Sequence, residues 1–312
     1  MPSPAVAVID IGSNTIKVLV ARRADDGALV SEHFQSLDAR ISTGISQARP
    51  ELGREGMARG LAAIRALLAG VAPFQPAKVL LVATSAVRDA ANGAAFRAEV
   101  KAATGHEIRL LSGDEEAHYI GAGLTCDPEL RDLQDFQVFD LGGGSLECLT
   151  FRQRRVQQAL SLQLGCVRLT ERLFGDAVAA LPTDAATRVG AECDAAMRAA
   201  GFRFDLPAGA GAVGTGGTLT VARAIAAHRA GVPGLGASLL TVAEIERQFT
   251  FLSRQTLAER RTCPGLPAAR ADVYPTALAT YLAIARRGGF TAFRHSLYNL
   301  RYGIAQELLA SG

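Results

Sequence analysis

Two apolar, β-branched runs flank a short polar turn near the start of the chain. Residues 5–23 read AVAVIDIGSNTIKVLVARR, with Gly12-Ser13-Asn14 between the runs, a pattern that predicts a hairpin. Leu52, Met57, Leu61, Ile64 and Leu68 then recur near helical spacing, which predicts an amphipathic helix. A short apolar run from Lys78 to Ala83 predicts a buried strand. A helix follows from about Asp89 to Thr104, then a strand from Glu107 to Leu111 and a helix that starts at Ser112. The pattern then restarts. Gln137 to Phe151 is again strand, glycine turn, strand, and helices are predicted near Thr183–Ala200, Thr218–Arg229, Val242–Arg260, Ala268–Arg286 and Leu297–Leu309. Pro264-Gly265-Leu266-Pro267 breaks the late helical region. Strands then helices, twice, in 312 residues predict two α/β domains rather than one core.

An internal repeat supports the division. Val8-Ile9-Asp10-Ile11-Gly12 matches Val138-Phe139-Asp140-Leu141-Gly142, 130 residues later. Each aspartate ends an apolar strand and each glycine opens a turn of small residues. A period of this length points to duplicated domains, not to a solenoid.

Composition narrows the class. Hydrophobic residues make up 49% and charged residues 20%, which predicts a packed globular chain. No run reaches the roughly 18 apolar residues of a membrane span, and Met1 to Ala7 lacks the basic start of an export signal. A cytoplasmic location without a membrane contact is expected. Five cysteines, 126, 148, 166, 193 and 263, are odd in number and form no CxxC pair, so free thiols are expected rather than disulfides or a zinc site. A net charge of +3 is too small to argue for nucleic acid. Lysine occurs only at 17, 78 and 101. Arginine suits bidentate phosphate contacts, but a GC-rich genome gives the same bias.

The candidate chemistry lies in the turns. Gly12, Ser13, Asn14 and Thr15 offer backbone and side-chain donors to an anion; an ordinary hairpin turn accounts for the same residues. The second turn, Gly142-Gly143-Gly144-Ser145, carries three consecutive glycines. Their entropic cost is better explained by close approach of a ligand than by a plain hairpin. Asp140 and Glu147 bracket this turn and suit Mg²⁺ or another hard divalent cation, held directly or through water; solvated strand ends are the alternative. Gly214-Thr215-Gly216-Gly217-Thr218 follows a short strand and opens a helix, a place for an anion. Ser112 and Glu115 form a capping box. Glu116, about 100° further round the helix, has no such local duty and is the candidate general base, against the default of a surface glutamate. Arg88 follows the strand that ends at Ala83, where α/β sheets bind ligands; it is a phosphate clamp or a surface residue. No Walker A or HExxH pattern occurs.

Taken together, IDIGSNT at 9–15, ATSAVR at 83–88, SGDEEA at 112–117, FDLGGGSLE at 139–147, LGCVRLTE at 164–171, GTGGT at 214–218, RADVYPTAL at 270–278 and SLYNLRYG at 296–303 resemble the exopolyphosphatase/guanosine pentaphosphate phosphohydrolase (Ppx/GppA) family of the sugar kinase, Hsp70 and actin superfamily. The resemblance implies an α/β fold of two actin-like (ribonuclease H-like) domains with an interdomain active-site cleft. The domains would be 1–124 and 125–296, with a C-terminal helix at about 297–312 returning to the first. It implies Glu116 as the catalytic residue and Asp140 and Glu147, with Asp10 as a further candidate, at a catalytic Mg²⁺. Gly12 to Thr15, Arg88, Gly142 to Ser145, and Gly214, Gly216, Gly217 and Thr218 would bind phosphate. Thr276-Ala277 departs from the family's small residue followed by glycine. Longer relatives carry a C-terminal helical domain, and the resemblance is to the family's short form.

The implied reaction is Mg²⁺-dependent hydrolysis of the terminal phosphoanhydride of inorganic polyphosphate, releasing orthophosphate. Guanosine pentaphosphate is the alternative substrate. Two other classes stay open: a regulator that binds guanosine tetra- or pentaphosphate with weak activity, and a polyphosphate or nucleotide phosphotransferase. A homodimer is expected from the family and from the frequency of two-fold assemblies.

Overall fold

The computed structural model describes residues 4–175, 177–207 and 209–311. Met1 to Ser3, the head of the stretch read above for an export signal, lie outside them. The chain divides into two compact units, residues 1–131 with 298–312, and residues 132–297.

The first unit opens with strands β1 (Val6–Ile11), β2 (Thr15–Arg23) and β3 (Leu29–Asp38), then α1 (Arg54–Val71), β4 (Lys78–Ala83), the single turn α2 (Ser85–Arg88), α3 (Gly93–Thr104), β5 (Ile108–Leu110) and α4 (Gly113–Thr125). The sheet order is β3-β2-β1-β4-β5. β1 pairs antiparallel with β2 and parallel with β4. Every residue of β1 except Asp10 is buried. A strand covered on both faces reads as one apolar run, so its motif was legible. The burial of α1 is less direct: its inner face carries Gly56, Gly60, Ala63, Ile64, Leu67 and Val71, while Met57, Leu61 and Leu68 are half-buried. The helix turns its small residues inward because Ile41 and Phe96 crowd Gly60. Residues Arg54–Phe74 are long and apolar enough by composition to cross a membrane; one face of α1 packs on β1, β2 and β3.

The second unit holds β6 (Phe136–Leu141), β7 (Leu146–Arg152), β8 (Arg155–Leu162), α5 (Cys166–Phe174), α6 (Ala185–Ala199), β9 (Gly211–Thr215), α7 (Gly217–Arg229), β10 (Leu239–Thr241), α8 (Val242–Ser253), α9 (Leu257–Arg260), α10 (Tyr274–Gly288) and β11 (Ala292–His295). The order is β8-β7-β6-β9-β11-β10, the first unit's pattern with one added edge strand. Phe139, Phe202 and Phe293 lie in its core, with the half-buried Phe204 and Phe290 packed around them. α10 packs against α5, α6, α7 and α8 and is buried from Tyr274 through Tyr281. Thr276 and Ala277, the departure noted above, are both buried there, and the Thr276 carbonyl accepts the Thr280 hydroxyl at 3.0 Å.

Last comes α11 (Leu300–Ala310), which belongs to the first unit and packs on α4, β1 and β2. The backbones touch: a Cβ on Gly123 would strike the Asn299 carbonyl, and one on Gly303 the Tyr119 carbonyl.

Three predicted helices are corrected. The one expected over 242–260 is two, because Thr256 and Glu259 form a capping box that starts α9 afresh. The one expected at 268 is a single 3₁₀ turn, Ala268–Arg270, with α10 beginning at Tyr274. The one expected from Asp89 starts at Gly93, and Arg88, beyond the strand, ends the single turn α2.

Candidate active site

In the first unit the turn after β1 is closed by the Gly12 amide donating to Thr15 O at 3.2 Å. Ser13, Asn14 and Thr15 are buried. Asn14 O accepts the Ala39 and Arg40 amides at 3.0 and 2.9 Å, and Ser13 O accepts the Ser42 amide and hydroxyl at 3.3 and 3.1 Å. The turn's carbonyls are therefore engaged from outside. The Ser13 and Asn14 amides donate to no group among the described residues. The Asn14 side-chain oxygen is buried without a partner; turned end for end, that amide offers two N–H donors in the same place.

The turn after β6 repeats this arrangement. Gly142 N donates to Ser145 O at 3.0 Å. Its carbonyls are taken by the start of α5: Cys166 N to Gly142 O at 3.0 Å, Val167 N to Gly143 O at 2.9 Å, and Arg168 Nε to Gly144 O at 3.0 Å. The Gly143, Gly144 and Ser145 amides have no partner among the described residues. The backbone that approaches these glycines closely is Gly165: a Cβ there would fall on the Gly143 carbonyl and on the carbonyl carbon of Gly144. The glycine run was expected to admit a ligand; in the structure the start of α5 is seated against its carbonyls. The sequence signal for α5 was LGCVRLTE, quoted for its resemblance and not assigned an element.

Asp140 and Glu147 are register partners across β6 and β7, and Asp140 also stands opposite Thr215 on β9. Glu147 is buried and accepts the Ser161 hydroxyl at 2.8 Å. Asp140 lies against Gly216, where a Cβ would come within 2.5 Å of Oδ1; Gly216 also has φ +90°, so glycine is required twice over. α7 starts at Gly217 with no side-chain cap, leaving its first amides open. A residue the sequence reading missed joins them: the Arg270 guanidinium lies where a Cβ of Gly217 would be and hydrogen-bonds to no described residue. No local pattern marks it, because the contact spans more than fifty positions.

On α4, the capping box is present. Ser112 Oγ accepts the Glu115 amide at 3.1 Å, and Glu115 Oε2 accepts the Ser112 amide at 2.8 Å. That backbone N–H, with the Arg109 guanidinium at 2.7 Å, holds the Glu115 carboxyl below its usual range. Glu116 is buried, and its Oε2 accepts Arg88 Nη1 at 3.3 Å. The same Nη1 donates to Leu111 O at 2.9 Å, and Arg88 Nε stands 3.4 Å from Asp89 Oδ1. Arg88 Nη2 carries no contact among the described residues. Asp10 is paired with buried Arg301 on α11 at 3.0 Å, and its register partner is Lys17. All five cysteines are free thiols, three of them buried.

No group of three or more His, Cys, Asp or Glu residues clusters among the described residues. Asp140 with Glu147 supplies two hard oxygen ligands, the kind of donor set Mg²⁺ takes when substrate phosphates and water complete its shell. Asp10, between Lys17 and Arg301, fits a cation less well.

Residues 20–311 match the model of the Ppx/GppA phosphatase family. An exopolyphosphatase from Cytophaga hutchinsonii superposes with a TM-score of 0.87 at 21% identity, over 98% of each chain. An exopolyphosphatase-like protein gives 0.85 at 25%, over 99% of this chain and 98% of the other. The Aquifex aeolicus Ppx/GppA enzyme gives 0.77 at 24%, over 98% and 100%. The family match thus defines a phosphoanhydride hydrolase built here from two α/β units. The chain belongs to the Ppx/GppA phosphatase family.

Proposed function

We propose that this chain is an exopolyphosphatase, removing terminal phosphate from inorganic polyphosphate with the help of Mg²⁺. The observation that carries the reading is Glu116: a buried carboxylate held by Arg88 next to a glutamate already occupied by the cap. Arg88 fixes the orientation of this carboxylate, which would take a proton from attacking water. The open Nη2 edge of Arg88 is left for a phosphate oxygen. The partnerless amides of the two turns, the α7 N-terminus and Arg270 are donors for the oxygens of an anionic chain. Asp140 and Glu147 would hold the cation, whose charge would offset that of the phosphates. The carbonyl anchoring of both turns keeps their amides fixed before substrate arrives, and such preorganisation is the main protein contribution to phosphoryl transfer.

The test is phosphate release from polyphosphate and from guanosine pentaphosphate, each with and without Mg²⁺. Release from polyphosphate that requires the cation supports the reading. Release from guanosine pentaphosphate alone replaces the substrate, and tight binding without release makes the protein a regulator. Glu116→Gln should lose on the order of 10²-fold or more in turnover while binding persists; near-normal turnover removes Glu116 from the chemistry.

A further inference from the structure

Arg260, in the single turn α9, is fully buried, a rare place for a guanidinium. Among the described residues no carboxylate pairs with it, and burial pushes its pKa down. Four carbonyls replace water. Nη1 donates to Ala271 O at 3.0 Å and Asp272 O at 3.3 Å; Nη2 donates to Ala177 O and Ala179 O, both at 2.8 Å. Its Nε has no partner. A buried ion is a poor source of net stability, since apolar replacements often do as well. What this one supplies is geometry: a rigid fork that ties the loop 177–179 to residues 271–272.

Those two residues directly follow Arg270, at the end of the 3₁₀ turn Ala268–Arg270. Between the fork and Arg270 there is no slack. Loop 177–179 is itself fixed, by the Leu257 amide donating to Val178 O at 2.8 Å and by the small cluster of Ala177, Leu181 and Ala185. We infer that Arg260 is a positioning residue for the phosphate site: it locks the turn that carries Arg270, so that this guanidinium stands beside Gly217 and the α7 N-terminus before an anion binds. The inference rests on the reading of Arg270 and α7 as phosphate donors.

The experiment is a double-variant cycle, read by calorimetric binding of tripolyphosphate and by KM and kcat of phosphate release. The variants are Arg270→Ala, Arg260→Lys, Arg260→Gln, and each Arg260 change combined with Arg270→Ala. All are assayed well below their own Tm, and having both Arg260 variants secures one that folds. Arg270→Ala is expected to weaken tripolyphosphate binding about tenfold, the scale of one charge-assisted contact. The Arg260 variants should weaken it by a similar factor and raise KM, with kcat nearly unchanged. In the Arg270→Ala background they should cost nothing more. Losses that multiply in the double variant, or wild-type binding by both Arg260 variants, overturn the inference and leave the α7 reading intact. Wild-type binding by Arg270→Ala overturns the α7 reading and the inference with it.

Discussion

Gly165→Ala isolates the contact that holds the second glycine turn. Gly165 has φ −59° and ψ 148°, which alanine adopts without strain. Its effect must then be steric. The new Cβ would meet backbone atoms of Gly143 and Gly144, which cannot rotate away, so α5 has to lift. Overpacking of this kind costs about 1–3 kcal/mol. The bonds from Cys166 N and Val167 N to the turn, now 3.0 and 2.9 Å, contribute about 0.5–1.5 kcal/mol each and weaken together. A total of about 2–4 kcal/mol corresponds to a fall of roughly 5–15 °C in Tm for a unit of this size. The same bonds face the free amides outward, so KM for polyphosphate should rise about tenfold or more. Calorimetry and phosphate release measure the two effects. Gly190→Ala is the control. It lies inside α6, where a Cβ meets only Ala283 Cβ at 4.0 Å, and it should stabilise by about 0.5–1 kcal/mol. Wild-type Tm and KM in Gly165→Ala would refute the account.

Asp140→Asn should abolish the stimulation of phosphate release by Mg²⁺, whereas Asp10→Asn should preserve it. Asp10→Asn should instead lower stability in chemical denaturation by about 3 kcal/mol, because it strips buried Arg301 of its counter-charge. The pH profile carries a separate signature: burial pushes the Cys193 thiol up to about 12 and the Cys148 thiol well above its ordinary range. Above the ordinary thiol pKa the unfolded chain loses these protons while the native one keeps them, so stability falls as pH rises toward 12. Cys193→Ala should flatten that slope, by about 1 kcal/mol at pH 10, and a slope that persists unchanged rejects the assignment.

What could be read from the sequence follows burial. β1 and β6 are covered on both faces and carry their Asp-Gly motifs as unbroken apolar runs. The edge strands β3 and β8 were missed, since LVSEHFQSLD and RVQQALSL leave many positions exposed and their ladders depend on partners rather than on a hydrophobic pattern. The Ser112/Glu115 box was legible because it is local. The Thr256/Glu259 box has the same spacing, yet it sat within apolar periodicity that ran through it. Arg270 against Gly217, Arg301 on Asp10 and the fork of Arg260 were out of reach for a different reason. Each joins positions distant along the chain through one side chain, and no periodicity encodes such a contact.

The two copies of the repeat share one turn design and differ in their charges. Both turns close on a glycine amide at 3.2 and 3.0 Å. Both have their carbonyls taken from outside, by residues 39–42 in one and by α5 in the other, which leaves amides free on each. Across the strand pair the copies diverge. Asp10 faces Lys17 and is bound by Arg301; Asp140 faces Glu147. Two carboxylates directly opposite on one sheet face repel and destabilise the pair, and Glu147 is buried, where that repulsion is least screened. The first copy pairs its aspartate with the buried Arg301. The second sets two carboxylates opposite one another, with the α7 N-terminus and Arg270 close by. In the proposed function, Asp140 and Glu147 would hold a small divalent cation whose remaining ligands are phosphate oxygens, a place that Asp10, bound by Arg301, does not offer.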